Sequence, residues 1–366
     1  MKKLTLVAGA RPNFMKIAPM IRAIQRRPAL LQYRLVHTGQ HYDREMNDVF
    51  FQELGIPEPH VFLGCGGGSH AEQTAKIMVA FEQEALANRP DWLVVVGDVN
   101  STLACSVVAR KMGIRVAHVE AGLRSGDLSM PEEVNRLVTD SISELFFVTE
   151  PSGGEHLRRE GKPESAIHEV GHVMIDNLLY QAERLAATHT AAFETAALKA
   201  RLGSGRYAVV TLHRPSNVDS EPDLRRAATA VTRIASRIPV VFPVHPRTRA
   251  NLSRYDISLG PSVHLTAPLP YMEFLNLWKD AAVVVTDSGG LQEETTGLGV
   301  PCVTMRENTE RPITVDEGTN VLAGTDPDAV VAAAFGILDG NRKVGRRPAL
   351  WDGKAAERIA DVLAAA

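Results

Sequence analysis

Three carboxylates in the first half of the chain stand where proton chemistry would need them. Asp98 and Glu120 each follow a short apolar run, Trp92–Val96 and Val116–Val119, and Glu132 opens a helical pattern in Ser129-Met130-Pro131-Glu132-Glu133-Val134-Asn135-Arg136. Carboxylates gathered near one another raise one another's pKa, which suits acid/base work near neutral pH. Each has a plainer alternative. Asp98 could bond only its own turn, and Ser129 with Glu132 fits a capping box, in which an N-cap hydroxyl and the N3 carboxylate exchange bonds with backbone amides. Glu120 has no evident structural task after an apolar strand.

Two further segments suit an anion. Gly9-Ala10-Arg11-Pro12-Asn13-Phe14-Met15-Lys16 is a turn into a helix, with Pro12 in the first turn. Arg11 and Lys16 lie a turn or so apart, so both cations can face the amides and positive dipole end of the helix, a good diphosphate cradle. The alternative is a pair of surface bases. Thr286-Asp287-Ser288-Gly289-Gly290-Leu291-Gln292-Glu293-Glu294 runs from a strand into a helix. Gly289 and Gly290 let backbone approach a ligand, and Ser288 adds a hydroxyl. Ser288 could equally cap the helix. Glu294, beyond the phosphate position, is the candidate for gripping a ribose diol. His213 and His245 occupy equivalent places after two strands. Gly64-Cys65-Gly66-Gly67-Gly68-Ser69-His70 reads as a loop or a lid.

The elements that must position these groups are legible as short apolar runs followed by helical patterns: Leu4–Ala8, Arg34–His37, Trp92–Val96, Val116–Val119 and Leu145–Val148, then Tyr207–Leu212, Val240–Val244, Ala282–Thr286 and Pro301–Met305. Such runs are parallel strands covered by helices on both faces. Two series predict an α/β fold of two doubly wound Rossmann-like domains facing a cleft, residues 1–170 and 171–353, with a C-terminal helix, 354–366, completing the first. Ligands then bind at the carboxyl ends of strands.

The 366 residues carry a net charge of −3, so no global positive field draws in nucleic acid or an anionic membrane. Cys65, Cys105 and Cys302 form no pair with metal-ligand spacing, no metal site is expected, and a reducing cytoplasm fits their number. No apolar run approaches the ~18 residues that span a bilayer.

Taken in order, Gly9-Ala10-Arg11-Pro12…Lys16, Gly97-Asp98, His118-Val119-Glu120-Ala121-Gly122-Leu123-Arg124, Pro131-Glu132-Glu133…Asn135-Arg136, His213-Arg214, Pro243-Val244-His245-Pro246, Thr286–Glu294, Thr309-Glu310-Arg311-Pro312 and Asp352-Gly353-Lys354-Ala355-Ala356 resemble the non-hydrolysing UDP-N-acetylglucosamine 2-epimerases. The resemblance implies a glycosyltransferase-B-like fold, a homodimer, and a UDP-sugar substrate with neither cofactor nor metal. It implies anti-elimination of UDP to a 2-acetamidoglucal and syn re-addition on the other face of carbon 2. Asp98, Glu120 and Glu132 would then transfer protons. Arg11, Lys16, Arg136 and His213 would support the diphosphate, Ser288 and Glu294 would hold phosphate and ribose, and His245, Gly289, Gly290 and Arg311 would complete the binding set. His37–Asp43 and Gly68-Ser69-His70 also resemble epimerases acting on UDP-2,3-diacetamido-glucuronate. Gln40-His41-Tyr42-Asp43 lacks the second glutamine that accompanies activation by UDP-GlcNAc at a separate site.

Overall fold

The structure, a computed structural model, describes residues 1–39, 51 and 54–366. The motif residues Gln40–Asp43 lie outside the described residues. The chain divides into two compact units, Met1–Asn177 with Ala349–Ala366, and Leu178–Pro348.

The first unit is built on a seven-stranded parallel sheet: β1 (Lys2–Ala8), β2 (Leu31–His37), β3 (Val61–Phe62), β4 (Trp92–Val96), β5 (Arg115–Val119), β6 (Leu145–Val148) and β7 (Ile167–Glu169), in the order β3-β2-β1-β4-β5-β6-β7. Successive side chains of a strand face opposite sides. Leu4, Leu6 and Ala8 of β1 therefore pack on Phe14, Ile17 and Ile21 of helix Arg11–Gln25 and on Ile359 and Leu363 of the C-terminal helix. Val7, with Leu93 and Val95 of β4, faces Ile77 and Phe81 of helix His70–Ala87 on the other side. Burial on both faces is why these strands read as unbroken apolar runs.

The C-terminal helix, Ala355–Ala365, returns to this unit through defined contacts. Asp176 accepts from the amides of Ala355 (3.1 Å) and Ala356 (2.7 Å) and so serves the helix N-terminus, while Arg358 pairs with Asp352 and donates to the Val170 carbonyl at 3.0 Å. Gly171 makes the approach possible. Its φ is +85°, and a Cβ there would lie 2.0 Å from the Leu350 carbonyl oxygen.

The second unit repeats the plan with β8 (Ala208–Thr211), β9 (Val240–Pro243), β10 (Val263–Thr266), β11 (Val283–Thr286), β12 (Cys302–Thr304) and β13 (Asn320–Leu322), all parallel, in the order β10-β9-β8-β11-β12-β13. Strands β3, β7, β10 and β13 are additions to the nine apolar runs. They are edge strands two to four residues long; β3 is only two residues and the other three mix in polar residues, so they lack the continuous apolar signal of central strands.

Candidate active site

In sheets of this strand order the chain changes direction beside the first strand of each series, and the crevice opened there is where ligands bind. In the first unit the reversal falls between β1 and β4, and in the second between β8 and β11. The segments leaving those four strands are Gly9–Lys16, Gly97-Asp98, His213-Arg214 and Asp287–Gly290. Most residues singled out for chemistry thus stand at the carboxyl ends of strands flanking a switch point.

In the first unit, Asn13 joins the two turns. Its Oδ1 accepts from the Ala10 amide at 3.0 Å, and its Nδ2 donates to the Val96 carbonyl at 3.0 Å. Lys16 and Glu120 form a close ion pair, and a Cβ on Gly97, whose φ is +70°, would stand 3.3 Å from Lys16 Nζ. Lys16 is therefore engaged by a carboxylate, where the sequence suggested a cation shared with Arg11 at the helix start; the Arg11 side chain lies outside the described residues. Pairing is what allows the fully buried Glu120 to keep its place. Glu120 also has φ +64°, a left-handed backbone that a side chain with a Cβ adopts only when its surroundings impose it.

Asp98 Oδ2 lies 2.6 Å from Arg136 Nη2, and Asn135 Nδ2 donates to the Asp98 carbonyl at 2.9 Å. Asp98 and Arg136 thus form one unit, the residue meant for protons bonded to the one meant for phosphate. Glu132 is exposed and, among the described residues, has no hydrogen-bond or ion-pair partner. The capping-box alternative does not hold. Pro131 takes the first position of helix Pro131–Ile142, which makes Met130 the N-cap, and the Ser129 hydroxyl donates to Asp127 at 2.6 Å. A capping box occurs instead at Ser69 and Glu72, and it turns the glycine-rich segment into helix His70–Ala87. Glu133, not Glu132, holds the preceding loop, accepting from the Ser125 and Gly126 amides at 2.9 and 3.2 Å.

In the second unit, Asp287 organises the end of β8. It is buried and accepts from the amides of His213 (3.0 Å) and Arg214 (2.8 Å) and from Asn217 Nδ2 (3.1 Å), and its Oδ1 lies 2.9 Å from His213 Nδ1. Burial alone would raise its pKa. The bond and charge of His213, then the bonds from Asn217 and Arg214, outweigh it and hold the carboxyl below its ordinary value. Helix Gly289–Leu298 begins with Ser288 as N-cap, but the Ser288 side chain makes no capping bond. Its own amide donates to Thr286 Oγ1 at 3.0 Å. The alternative in which the Ser288 hydroxyl caps the helix thus does not hold, and among the described residues no side chain serves this N-terminus. A Cβ on Gly289 or Gly290 would meet nothing within 4 Å. Amides at an uncapped helix start with open space before them suit a phosphate.

Glu294 is the sixth residue of that helix, about one and a half turns in, buried, and accepts from the Tyr271 hydroxyl at 2.8 Å. Burial, then the neighbouring carboxylate and its bond, keep the Tyr271 hydroxyl protonated well above the ordinary phenol range. Arg311 pairs with Glu293, and Thr309 donates to Gln292 Oε1 at 2.7 Å, so the segment after β12 is fastened along one helix. His245 caps helix Pro246–Arg254, its Nδ1 accepting from the Arg247 amide at 3.3 Å, which gives this exposed residue a local structural task. Asn13, Asp287 and Tyr271 are the positioning groups that the sequence did not mark out. Asp287 alone had a usable signal, as the last polar residue between an apolar strand and Ser-Gly-Gly.

Two doubly wound units of this strand order define a glycosyltransferase-B-like α/β protein. The sequence profile of the family described as UDP-N-acetylglucosamine 2-epimerase matches residues 22–364. A UDP-N-acetylglucosamine 2-epimerase of Methanocaldococcus jannaschii is 38% identical over 99% of this chain and 98% of its own. A UDP-2,3-diacetamido-2,3-dideoxy-D-glucuronate 2-epimerase of Pseudomonas aeruginosa is likewise 38% identical, over 100% and 99%. The crystal structure of the M. jannaschii enzyme in complex with UDP-GlcNAc and UDP superposes with a TM-score of 0.88 at 37% identity, covering both chains fully. The chain belongs to the UDP-N-acetylglucosamine 2-epimerase family and is an isomerase. Among the described residues no helix is long and apolar enough to cross a membrane.

Proposed function

We propose that the enzyme interconverts UDP-N-acetylglucosamine and UDP-N-acetylmannosamine without hydrolysis. The observation that carries this reading is the pair of carboxylates, Asp98 and Glu120, at the ends of the adjacent strands β4 and β5, each bonded to its own cation, Arg136 and Lys16. The carbon 2 proton of the sugar is next to no carbonyl and is poorly acidic. Breaking the bond from carbon 1 to the diphosphate oxygen, with the electron pair leaving on UDP, makes carbon 1 cation-like and carbon 2 acidic. A carboxylate then takes the proton as the double bond forms, and the second half of the reaction returns a proton to the opposite face while UDP re-adds. The first unit would supply the sugar-end groups Asp98, Glu120 and Glu132, with Lys16 and Arg136 as cations to offset charge developing on the diphosphate, a role that the family resemblance also gives to Arg11. The second unit supplies UDP-end groups: the amides following Ser288, the carboxylate of Glu294 for the ribose, and His213, whose ring Asp287 orients. Incubation with UDP-GlcNAc alone, followed by proton NMR, tests the reading. UDP-ManNAc is the expected product. Free ManNAc with UDP would make the enzyme a hydrolysing epimerase, and an unchanged substrate would remove the assignment.

One observation favours a second substrate. The P. aeruginosa relative matches as closely as the archaeal one. UDP-2,3-diacetamido-glucuronate is the alternative, and comparing kcat/KM for the two sugars decides between them.

A further inference from the structure

His118 lies in β5, fully buried, with its two ring nitrogens against two acceptors. Nδ1 is 2.7 Å from Asp140 Oδ1 and Nε2 is 2.8 Å from the Gly97 carbonyl oxygen. Asp140, on helix Pro131–Ile142, uses its other oxygen to accept from the Gly122 amide at 3.0 Å and from Arg124 at 2.7 Å. Arg124 is fixed in turn by two bonds to Glu160, at 2.9 and 2.7 Å. Each branch ends beside a residue of the proposed chemistry. Gly97 precedes Asp98, Gly122 follows Glu120 by two residues, and the helix of Asp140 carries Glu132, Asn135 and Arg136.

An apolar side chain would fill this part of the core as well, because buried ionic pairs add little net stability over apolar groups of similar volume. It could not hold a carbonyl of one turn and, through Asp140, an amide of the next. The left-handed backbone at Glu120 is a second sign that the turn after β5 is imposed by its surroundings. We propose that His118 and Asp140 are positioning residues that set the separation of Asp98 and Glu120, and so govern whether the glucal intermediate re-adds UDP or escapes. The proposal rests on the epimerase reading above. Re-addition needs a proton delivered to one face of carbon 2 while UDP is still in place, so a displaced carboxylate lengthens the life of the intermediate and favours its release.

The test compares His118→Gln, His118→Leu and Asp140→Asn with the wild type, measuring kcat, KM and the ratio of released 2-acetamidoglucal to UDP-ManNAc formed. That ratio belongs to the folded molecules, so a variant that yields less folded protein does not shift it. A misplacement on the order of 1 Å can cost roughly 100-fold in rate, so kcat should fall by about 10- to 100-fold. KM should change less than kcat, because the Ser288 amides and the Glu294 carboxylate proposed to hold UDP belong to the second unit, while the release ratio rises by about fivefold or more. His118→Gln, which keeps one donor, should fall between the wild type and His118→Leu. A release ratio equal to the wild type's in all three variants overturns the positioning role, whatever kcat does. Failure of the wild type to form UDP-ManNAc is read separately, before any variant, and would overturn the epimerase reading itself.

Discussion

His213 Nδ1 lies 2.9 Å from the buried Oδ1 of Asp287, and the same carboxylate accepts the backbone amide of His213. Side chain and backbone of one residue are held by one acid, so the ring has a fixed direction and its Nε2 is the nitrogen left for a ligand. Asp287→Asn keeps an acceptor for the amides but can present N–H to the ring, which reverses the tautomer. The expected result is a kcat lower by on the order of 100-fold with UDP affinity little changed. Steady-state kinetics and calorimetric titration with UDP check it, and an unaltered kcat would remove His213 from the chemistry.

Glu132→Gln should abolish turnover while leaving the melting temperature nearly unchanged. Glu132 is exposed and does not cap its helix, and exposed substitutions away from special contacts change stability by about 0.5 kcal/mol or less. Near-normal turnover in this variant would show that Glu132 is a surface residue.

These two cases mark what the sequence could and could not convey. Residues at strand ends were legible because the apolar run and the polar residue that ends it are adjacent in the chain. Asp98, Glu120, His213 and Ser288 all belong to that class. Partners were not, because Lys16 meets Glu120 only through the neighbouring strands β1, β4 and β5. Local geometry misled where a proline intervened. Ser129 and Glu132 have the spacing of a capping box, but Pro131 sets the helix start one residue too late for it. The buried links of His118 with Asp140, and of Tyr271 with Glu294, join residues 22 and 23 positions apart across elements, beyond any motif.

Glu294→Ala should raise the dissociation constants of UDP and UDP-GlcNAc alike, by roughly tenfold or more, since charge-assisted bonds to a ribose diol are worth about 1.5–3 kcal/mol each. Ribose is remote from carbon 2, so KM should rise more than kcat falls. Tyr271→Phe, which removes only the orienting hydroxyl, should move affinity in the same direction by less. Unchanged UDP affinity in Glu294→Ala, with a lowered melting temperature, would make Glu294 a structural residue.

Asp176 gives a pH-dependent prediction. Burial pushes its carboxyl up from 3.8 to about 6, against the lowering effect of the Ala356 and Ala355 amides. The folded state therefore binds more protons than the unfolded state within this window. Its stability contribution is complete below the unfolded pKa and is lost as pH rises through about 6. Asp176→Asn removes the titration. Between pH 4 and pH 7 the wild type should lose up to about 3 kcal/mol relative to the variant. Melting curves across that range measure the difference, and a constant gap would contradict the assignment.

The proposed epimerisation needs a carboxylate to take the proton of carbon 2 and solvent to reach that carboxylate before re-addition. Conversion of UDP-GlcNAc in deuterium oxide, followed by proton NMR, tests both. The expected product is UDP-ManNAc carrying deuterium at carbon 2. UDP-ManNAc that retains protium at carbon 2 would contradict it.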